Sequence, residues 1–462
     1  MPHPTVVINV VGLTESLIGD WSPHLQAFAR ENTLRTLKPA FPAVTTTVQS
    51  SMLTGVSPRE HGIVGNGWYN REYNEIHFWK QSNALVKSEK VWETARQRDP
   101  SVTCANMFWW YNMYSSVNWS VTPRPIYKAD GRKIPDVYSE PPDLRSILQE
   151  RLGRFPLFNF WGPRAGIASS RWIAEASMIV EELHSPTLML IYLPHLDYDL
   201  QRFGPDGEEA KQAVTEIDEI IGDLITFYRS RGRGTRLMIV SEYGIEPVND
   251  AIHINRLLRE DRALRVREED GLELLDPGAS DAFAIVDHQI AHVYVRDQAN
   301  VERYAAFLQN ATGVERALTR QDQASLGINH ERSGDIILIA EPGKWFSYDY
   351  WLEDSKAPDF ARTVDIHRKP GYDPLELFID PAIRAPRLKL AGKLLQMKAG
   401  FRTLMDVIPL NTSLVRGSHG RVDQARPHRP VLIAAPPLAK NDAELASSAV
   451  HDVMLSHLFD SI

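Results

Sequence analysis

A chain of 462 residues, 43% of them hydrophobic, can bury a core large enough for one big α/β domain with insertions or for two smaller domains. Its 51 Lys and Arg against 59 Asp and Glu leave a net charge of −8, a balance that gives no support to general nucleic-acid or membrane-surface binding. The single cysteine, Cys104, excludes a disulfide framework within the chain and suits a reducing compartment; its apolar and aromatic neighbours mark it as a buried thiol.

The first apolar run, Val6 to Leu13, has no basic leader and is too short to span a membrane, so a cytoplasmic protein is expected. Thr5–Gly12 is rich in β-branched residues and reads as a buried strand; Trp21–Glu31 reads as the helix after it. Pro42 stops what precedes it, and Thr45–Thr54 has Val48, Met52 and Leu53 at helical spacing before Gly55. Between about 70 and 165 aromatics and prolines are dense and periodicity is weak. This segment reads either as a cap over a cleft or as an insertion filling its own core. A cap would offer Trp109 for stacking on an apolar or ring-bearing group. Regular structure resumes with a helix over Ser170–His184, a strand over Thr187–Pro194, a loop to Gly204, a helix over Glu208–Arg229 and a strand over Thr235–Glu242. Further strands are expected at Phe283–Val286, Ala291–Val295, Gly334–Pro342 and Arg429–Pro437. Alternating strands and helices predict an α/β fold, a mostly parallel sheet between helices, in one domain over 1–462 with a second insertion at about 343–410.

In open parallel sheets ligands bind beyond the carboxyl ends of the strands. Val11-Gly12, the Pro194–Gly204 stretch and Glu242-Tyr243 lie at such ends, and the approach to Thr45 joins them. A helix start offers free N–H groups and a positive dipole end, so it suits an anion, and a threonine held there can attack phosphorus once activated. His195, Asp197 and Asp199, close together after a strand, suit a divalent cation. His61 and the His288 and His292 of DHQIAH read as structural.

The run FPAVTTTVQSSMLTG followed by HGIVGNGWY resembles the nucleophile region of the nucleotide pyrophosphatase/phosphodiesterase family, within the alkaline phosphatase superfamily. The resemblance implies an alkaline-phosphatase-like fold. It implies that Thr45 is the metal-activated nucleophile and that Asn66 donates a hydrogen bond to a phosphoryl oxygen. Asp197 and Gly204-Pro205 match a ligand motif whose histidine position holds Gln201. SEYG matches Ser-Asp-His-Gly with Glu242 and Tyr243 substituted, and Val11 stands where the family's first strand ends in aspartate. Gln is a poor zinc ligand and Val is none. The sequence therefore points to one divalent cation, zinc, manganese or magnesium, held by Asp197 and by His419 or His367 with help from Glu242; His195, Asp199, Gln201 and Tyr243 support it nearby.

The expected activity is metal-dependent hydrolysis of a phosphodiester, pyrophosphate or related phosphate or phosphonate ester through a phospho-threonine. The expected partner is a small ester, with neither nucleic-acid polymer nor membrane. A retired core acting as a binding protein, or a phosphoryl transferase, is the alternative.

Overall fold

The computed structural model describes residues 2–438 and 444–460. A nine-stranded sheet runs, edge to edge, through Glu444–Ala446, Thr33–Lys38, Val431–Ala435, Arg236–Val240, Thr5–Val10, Leu188–Leu193, Cys104–Met107, Trp119–Pro123 and Val137–Glu140. Thr5–Val10 pairs in parallel with Leu188–Leu193 on one side and Arg236–Val240 on the other. All six of its residues are buried, the pattern of a strand covered on both faces. Val7, Ile8 and Val10 have no exposure, each contributing about 1.5–3 kcal/mol of burial. The late strand Val431–Ala435 enters antiparallel to both its neighbours. Long helices at Ile167–His184 and Glu208–Ser230 bury apolar stripes in the same core.

Two sequence expectations change here. The stretch from 70 to 165 is no cap: Cys104–Met107, Trp119–Pro123 and Val137–Glu140 continue the central sheet, and Trp92, Phe108, Trp109 and Phe155 fill its core. Trp109 has no exposure and donates its indole N–H to the Ile191 carbonyl, so it is unavailable to a ligand. The stretch after Leu193 is not a loop. It forms the helix His195–Phe203, with Asp197 in its first turn and Gly204 closing it at φ +86°.

A second, antiparallel sheet orders Ala282–Asp287, Ile290–Val295, Ile336–Ala340 and Val314–Leu318 around its own apolar cluster. Its first hairpin turns through His288, at φ +61°, onto the C-terminal edge of the main sheet. Within 343–410, the buried Lys369 ammonium lies 2.6 Å from Asp373 and 2.8 Å from Glu376, and Glu376 accepts the Trp161 indole N–H at 2.5 Å. Removing one partner of such a buried triad strands a charge, at a cost of about 3–5 kcal/mol. The triad fixes Tyr372, which reaches the candidate site.

Candidate active site

The helix Thr45–Thr54 buries all ten of its residues although six are Ser or Thr. Intrinsic propensity disfavours that composition; local bonding compensates. Ser50, Ser51 and Thr54 donate their hydroxyls to the carbonyls of Thr46, Thr47 and Ser50, one turn back. Val44 supplies no side-chain cap. The cap comes from elsewhere in the chain: Asn66 Oδ1 accepts the Thr46 N–H at 3.1 Å, and Thr46 Oγ1 donates to the Gly65 carbonyl. Asn66 is in turn clamped by Asp287, whose two oxygens accept its backbone N–H at 2.7 Å and its Nδ2 at 3.0 Å. Gly67 is required next to it, since a Cβ there would lie 2.3 Å from the Phe78 ring.

Thr45 Oγ1 is left at the helix start, 3.0 Å from the Tyr243 hydroxyl. Tyr243 donates onward to Asp197 Oδ1 at 3.1 Å, so one phenol stands between the threonine and the carboxylate. Asp197 Oδ2 accepts from Gln201 Nε2 at 2.8 Å, and Gln201 Oε1 accepts from the Tyr372 hydroxyl at 3.0 Å. Four rings close the circuit behind these bonds. Tyr243 stacks on His419 at 3.6 Å, His419 lies 3.6 Å from His288, and His288 stacks on Tyr372 at 3.7 Å. Glu242 is on the other side of Tyr243, its Oε1 accepting from Asn9 at 2.5 Å and Gln49 at 2.6 Å.

Burial sets the electrostatics. It pushes the carboxyl of Asp197 up to about 7, against the pull of Gln201 and Tyr243. It raises Glu242 to about 8, opposed by Gln49, Asn9 and Thr45, and Asp287 to about 7, opposed by the two Asn66 donors. Burial likewise depresses His419 to about 3 and holds His288 well below its ordinary value, so both imidazoles are neutral at pH 7.

A pair of cations does not fit this donor set. Val11 is apolar and fully buried, Tyr243 places a neutral phenol beside Thr45, and the Glu242 Oε1 is held by two amides, which leaves only Oε2 without a partner. Among the described residues no three His, Cys, Asp or Glu gather as cation ligands. One cation fits Asp197 and His419. His419 Nδ1 is paired with the Ala43 carbonyl at 2.8 Å, which leaves Nε2 as the acceptor nitrogen; it is buried, has no hydrogen-bond partner, and lies 3.8 Å from Asp197 Oδ1. The Gln201 amide meets Asp197 through its nitrogen, so it adds no oxygen to that pair.

Other expected ligands are elsewhere. His367 is exposed, with Nδ1 against the Phe78 carbonyl at 3.1 Å. Glu242 is buried at the site, its Oε1 taken by Asn9 and Gln49. His195 is buried with Nε2 3.0 Å from Glu216 on the long helix, and Asp199 pairs with Arg202 at 2.6 Å. Gln201 and Tyr243 are at the site, bonded directly to Asp197. His61 packs behind the helix, 2.9 Å from Ser51. Sequence reading missed Asp287, His288, Tyr372, Asn9 and Gln49. A signal for the first two existed: a two-residue hairpin turn normally takes Asn or Gly at positive φ, and here it holds His288.

A profile described as "Type I phosphodiesterase / nucleotide pyrophosphatase" matches residues 5–373. An uncharacterised pyrophosphatase/phosphodiesterase of Schizosaccharomyces pombe is 25% identical over 269 residues, 55% of this chain and 46% of that protein. A bovine bis(5'-adenosyl)-triphosphatase is 25% identical over 252 residues, 53% of this chain and 48% of the relative. The chain thus spans about half the length of these two relatives. Among solved structures, phosphonoacetate hydrolase from Sinorhizobium meliloti, in complex with phosphonoacetate, superposes with a TM-score of 0.62 at 15% identity, covering 98% of this chain and 95% of the other. Murine ectonucleotide pyrophosphatase/phosphodiesterase 5, in an inactive form with AMP, gives 0.58 at 12% identity over 100% and 96%. At such identities the likeness is one of fold, the α/β architecture expected from the sequence. Among the described residues no helix is long and apolar enough to cross a membrane.

Proposed function

The chain belongs to the type I phosphodiesterase/nucleotide pyrophosphatase family, and on that premise we propose that it hydrolyses a small phosphate or phosphonate ester with Thr45 as the attacking group. The observation that carries this reading is the hydrogen-bonded line from Thr45 Oγ1 through the Tyr243 hydroxyl to Asp197. Attack forms the Thr45 oxygen–phosphorus bond and expels the leaving group as its oxyanion; water then attacks the same phosphorus, breaks the Thr45 oxygen–phosphorus bond and frees the threonine. The threonine proton passes to the Tyr243 oxygen as the phenol proton moves to Asp197. The start of the helix, fixed by Asn66, faces the phosphoryl oxygens with its free N–H groups. Asn66 positions that turn, and the second hydrogen of its Nδ2 is the one available to a phosphoryl oxygen, since the first goes to Asp287. Asp197 and His419 would hold one divalent cation, which when bound supplies charge neutralisation at the phosphoryl group.

Hydrolysis of an aryl phosphodiester or aryl phosphonate ester, followed by release of the phenol, tests the reading. The expected result is turnover in the parent protein that disappears in Thr45→Ala. A second reading, a retired core that binds an ester without cleaving it, is favoured by the burial of Thr45 and the contact its hydroxyl already makes. It is distinguished by saturable binding of phosphonate with no turnover across zinc, manganese and magnesium.

A further inference from the structure

The helix Pro386–Lys398 stands on the surface with no buried residue. Leu388 is 75% exposed and Leu395 67%; with Ala391 they follow the i, i+3, i+7 spacing of one helical stripe, and Leu394 borders it. The segment that follows continues the apolar surface with Phe401, 69% exposed, and Leu404. The lysines of the opposite face turn inward. Lys389 and Lys393 both pair with Asp406. A surface helix of a soluble domain normally buries its leucines and exposes its lysines; here Leu390 packs inward, but Leu388, Leu394 and Leu395 face out while Lys389 and Lys393 pair inward.

Charge singles out the same segment. Between Asp380 and Asp406 there are six basic residues and no acidic one; with Lys389 and Lys393 paired to Asp406, Arg384, Arg387, Lys398 and Arg402 remain, in a chain whose net charge is −8. Arg384, Arg387 and Lys398 are exposed beside the leucine stripe. Arg402 donates to the Ala129 carbonyl, which brings the hairpin of Ile126–Tyr127 and Lys133–Ile134 alongside. That hairpin adds exposed Ile126 and Tyr127, with the Lys133 ammonium over the Tyr127 ring.

We propose that this face docks on an anionic lipid surface, with the leucine stripe and Phe401 entering the headgroup boundary and the flanking arginines and lysines at the lipid phosphates. An interfacial helix has this composition: an apolar stripe bordered by basic residues that extend to the headgroups. Charge also selects against a second copy of the same face, because two such faces would bring like charges together. The whole-chain balance, which spoke against membrane surfaces, averages this segment away.

Co-sedimentation with vesicles tests the proposal on the whole protein. Binding to phosphatidylcholine mixed with phosphatidylserine is expected to exceed binding to phosphatidylcholine alone by about tenfold or more and to weaken with salt. The pair Leu388→Glu with Leu395→Glu, and separately Arg387→Glu with Lys398→Glu, abolish it while thermal unfolding is unchanged, since these side chains are exposed. Ester hydrolysis is read in parallel and is unaffected by either pair, so this result and that for Thr45 stand apart. Equal binding to both vesicles, no binding to either, or binding that survives both pairs would overturn the proposal. So would a lipid-free dimer that the leucine substitutions dissociate, which would assign the face to a second copy.

Discussion

On one side of Thr45, Asn66 and Asp287 fix the helix start through three hydrogen bonds, two of them from backbone N–H groups. On the other side, Tyr243 and Gln201 bring neutral donors to Asp197, in positions that the family resemblance gives to histidine ligands. The first side keeps what an anion site needs, free N–H groups at a rigid helix end. The second exchanges cation ligands for a hydrogen-bonded circuit closed by stacked rings. A phenol stabilises a nearby oxygen by one directed bond and carries no formal charge, so it replaces the orienting role of a cation more fully than its electrostatic one. The difference teaches that the two halves of such a site are separable: the helix start keeps its free donors while the positions that the resemblance gives to histidine hold hydrogen-bonding Tyr243 and Gln201.

The largest expected effect breaks the site at its shared atom. Thr45→Ala is expected to lower kcat for an aryl ester by about a thousandfold or more, with stability held within about 1 kcal/mol because Asn66, not Thr45, caps the helix. Thr45→Ser should retain measurable turnover. Residual activity within tenfold in the alanine variant would place the attack elsewhere. The next probe weakens the anion side. Asp287→Ala leaves the Asn66 N–H and Nδ2 buried without acceptors, at about 1–3 kcal/mol for each donor, read by chemical denaturation. An unchanged midpoint would mean that Asn66 does not depend on that clamp.

A smaller effect is expected on the rebuilt side. Tyr243→Phe keeps the ring on His419 and removes only the hydroxyl; kcat should fall by about tenfold to a hundredfold with unfolding nearly unchanged. Equal kcat in both proteins would remove Tyr243 from the proton path. The smallest effect lies behind the helix. Burial lowers His61 to about 3, with His330 and Arg332 adding to the shift, and the ring bonds Ser51 and the Ile63 N–H as a neutral imidazole. A histidine depressed on folding contributes stability above its unfolded value near 6.5, and loses it as pH falls toward 3. Between pH 6.5 and 5.5 the loss is at most about 1.4 kcal/mol, and His61→Gln should flatten that part of the stability–pH curve.

The parallel strands around Thr5–Val10 and the helix Thr45–Thr54 were legible because β-branched runs and helical spacing are local signals. That Thr45, Asn66, Asp197, Gln201 and Tyr243 lie together was legible from segments that resemble family motifs; His419, which the sequence does not separate from His367, joins them by stacking on Tyr243. Asp287, His288 and Tyr372 were not legible, since nothing local ties them to Thr45; the second sheet's hairpin and the Lys369 triad deliver them. His367 misled for the converse reason. Its ring meets the Phe78 carbonyl at 3.1 Å, and beside it Arg368 bonds Asp365 on the surface at 2.9 Å. The aromatic stretch before 165 suggested a cap because core strands with irregular connections lack clear periodicity.

Metal content per chain, measured on protein purified without added chelator and again after His419→Ala, tests the account most directly. It predicts one divalent ion in the parent protein, readily removed by chelator because only Asp197 and His419 hold it, and none in the variant. Two ions per chain, or one that persists without His419, would contradict it.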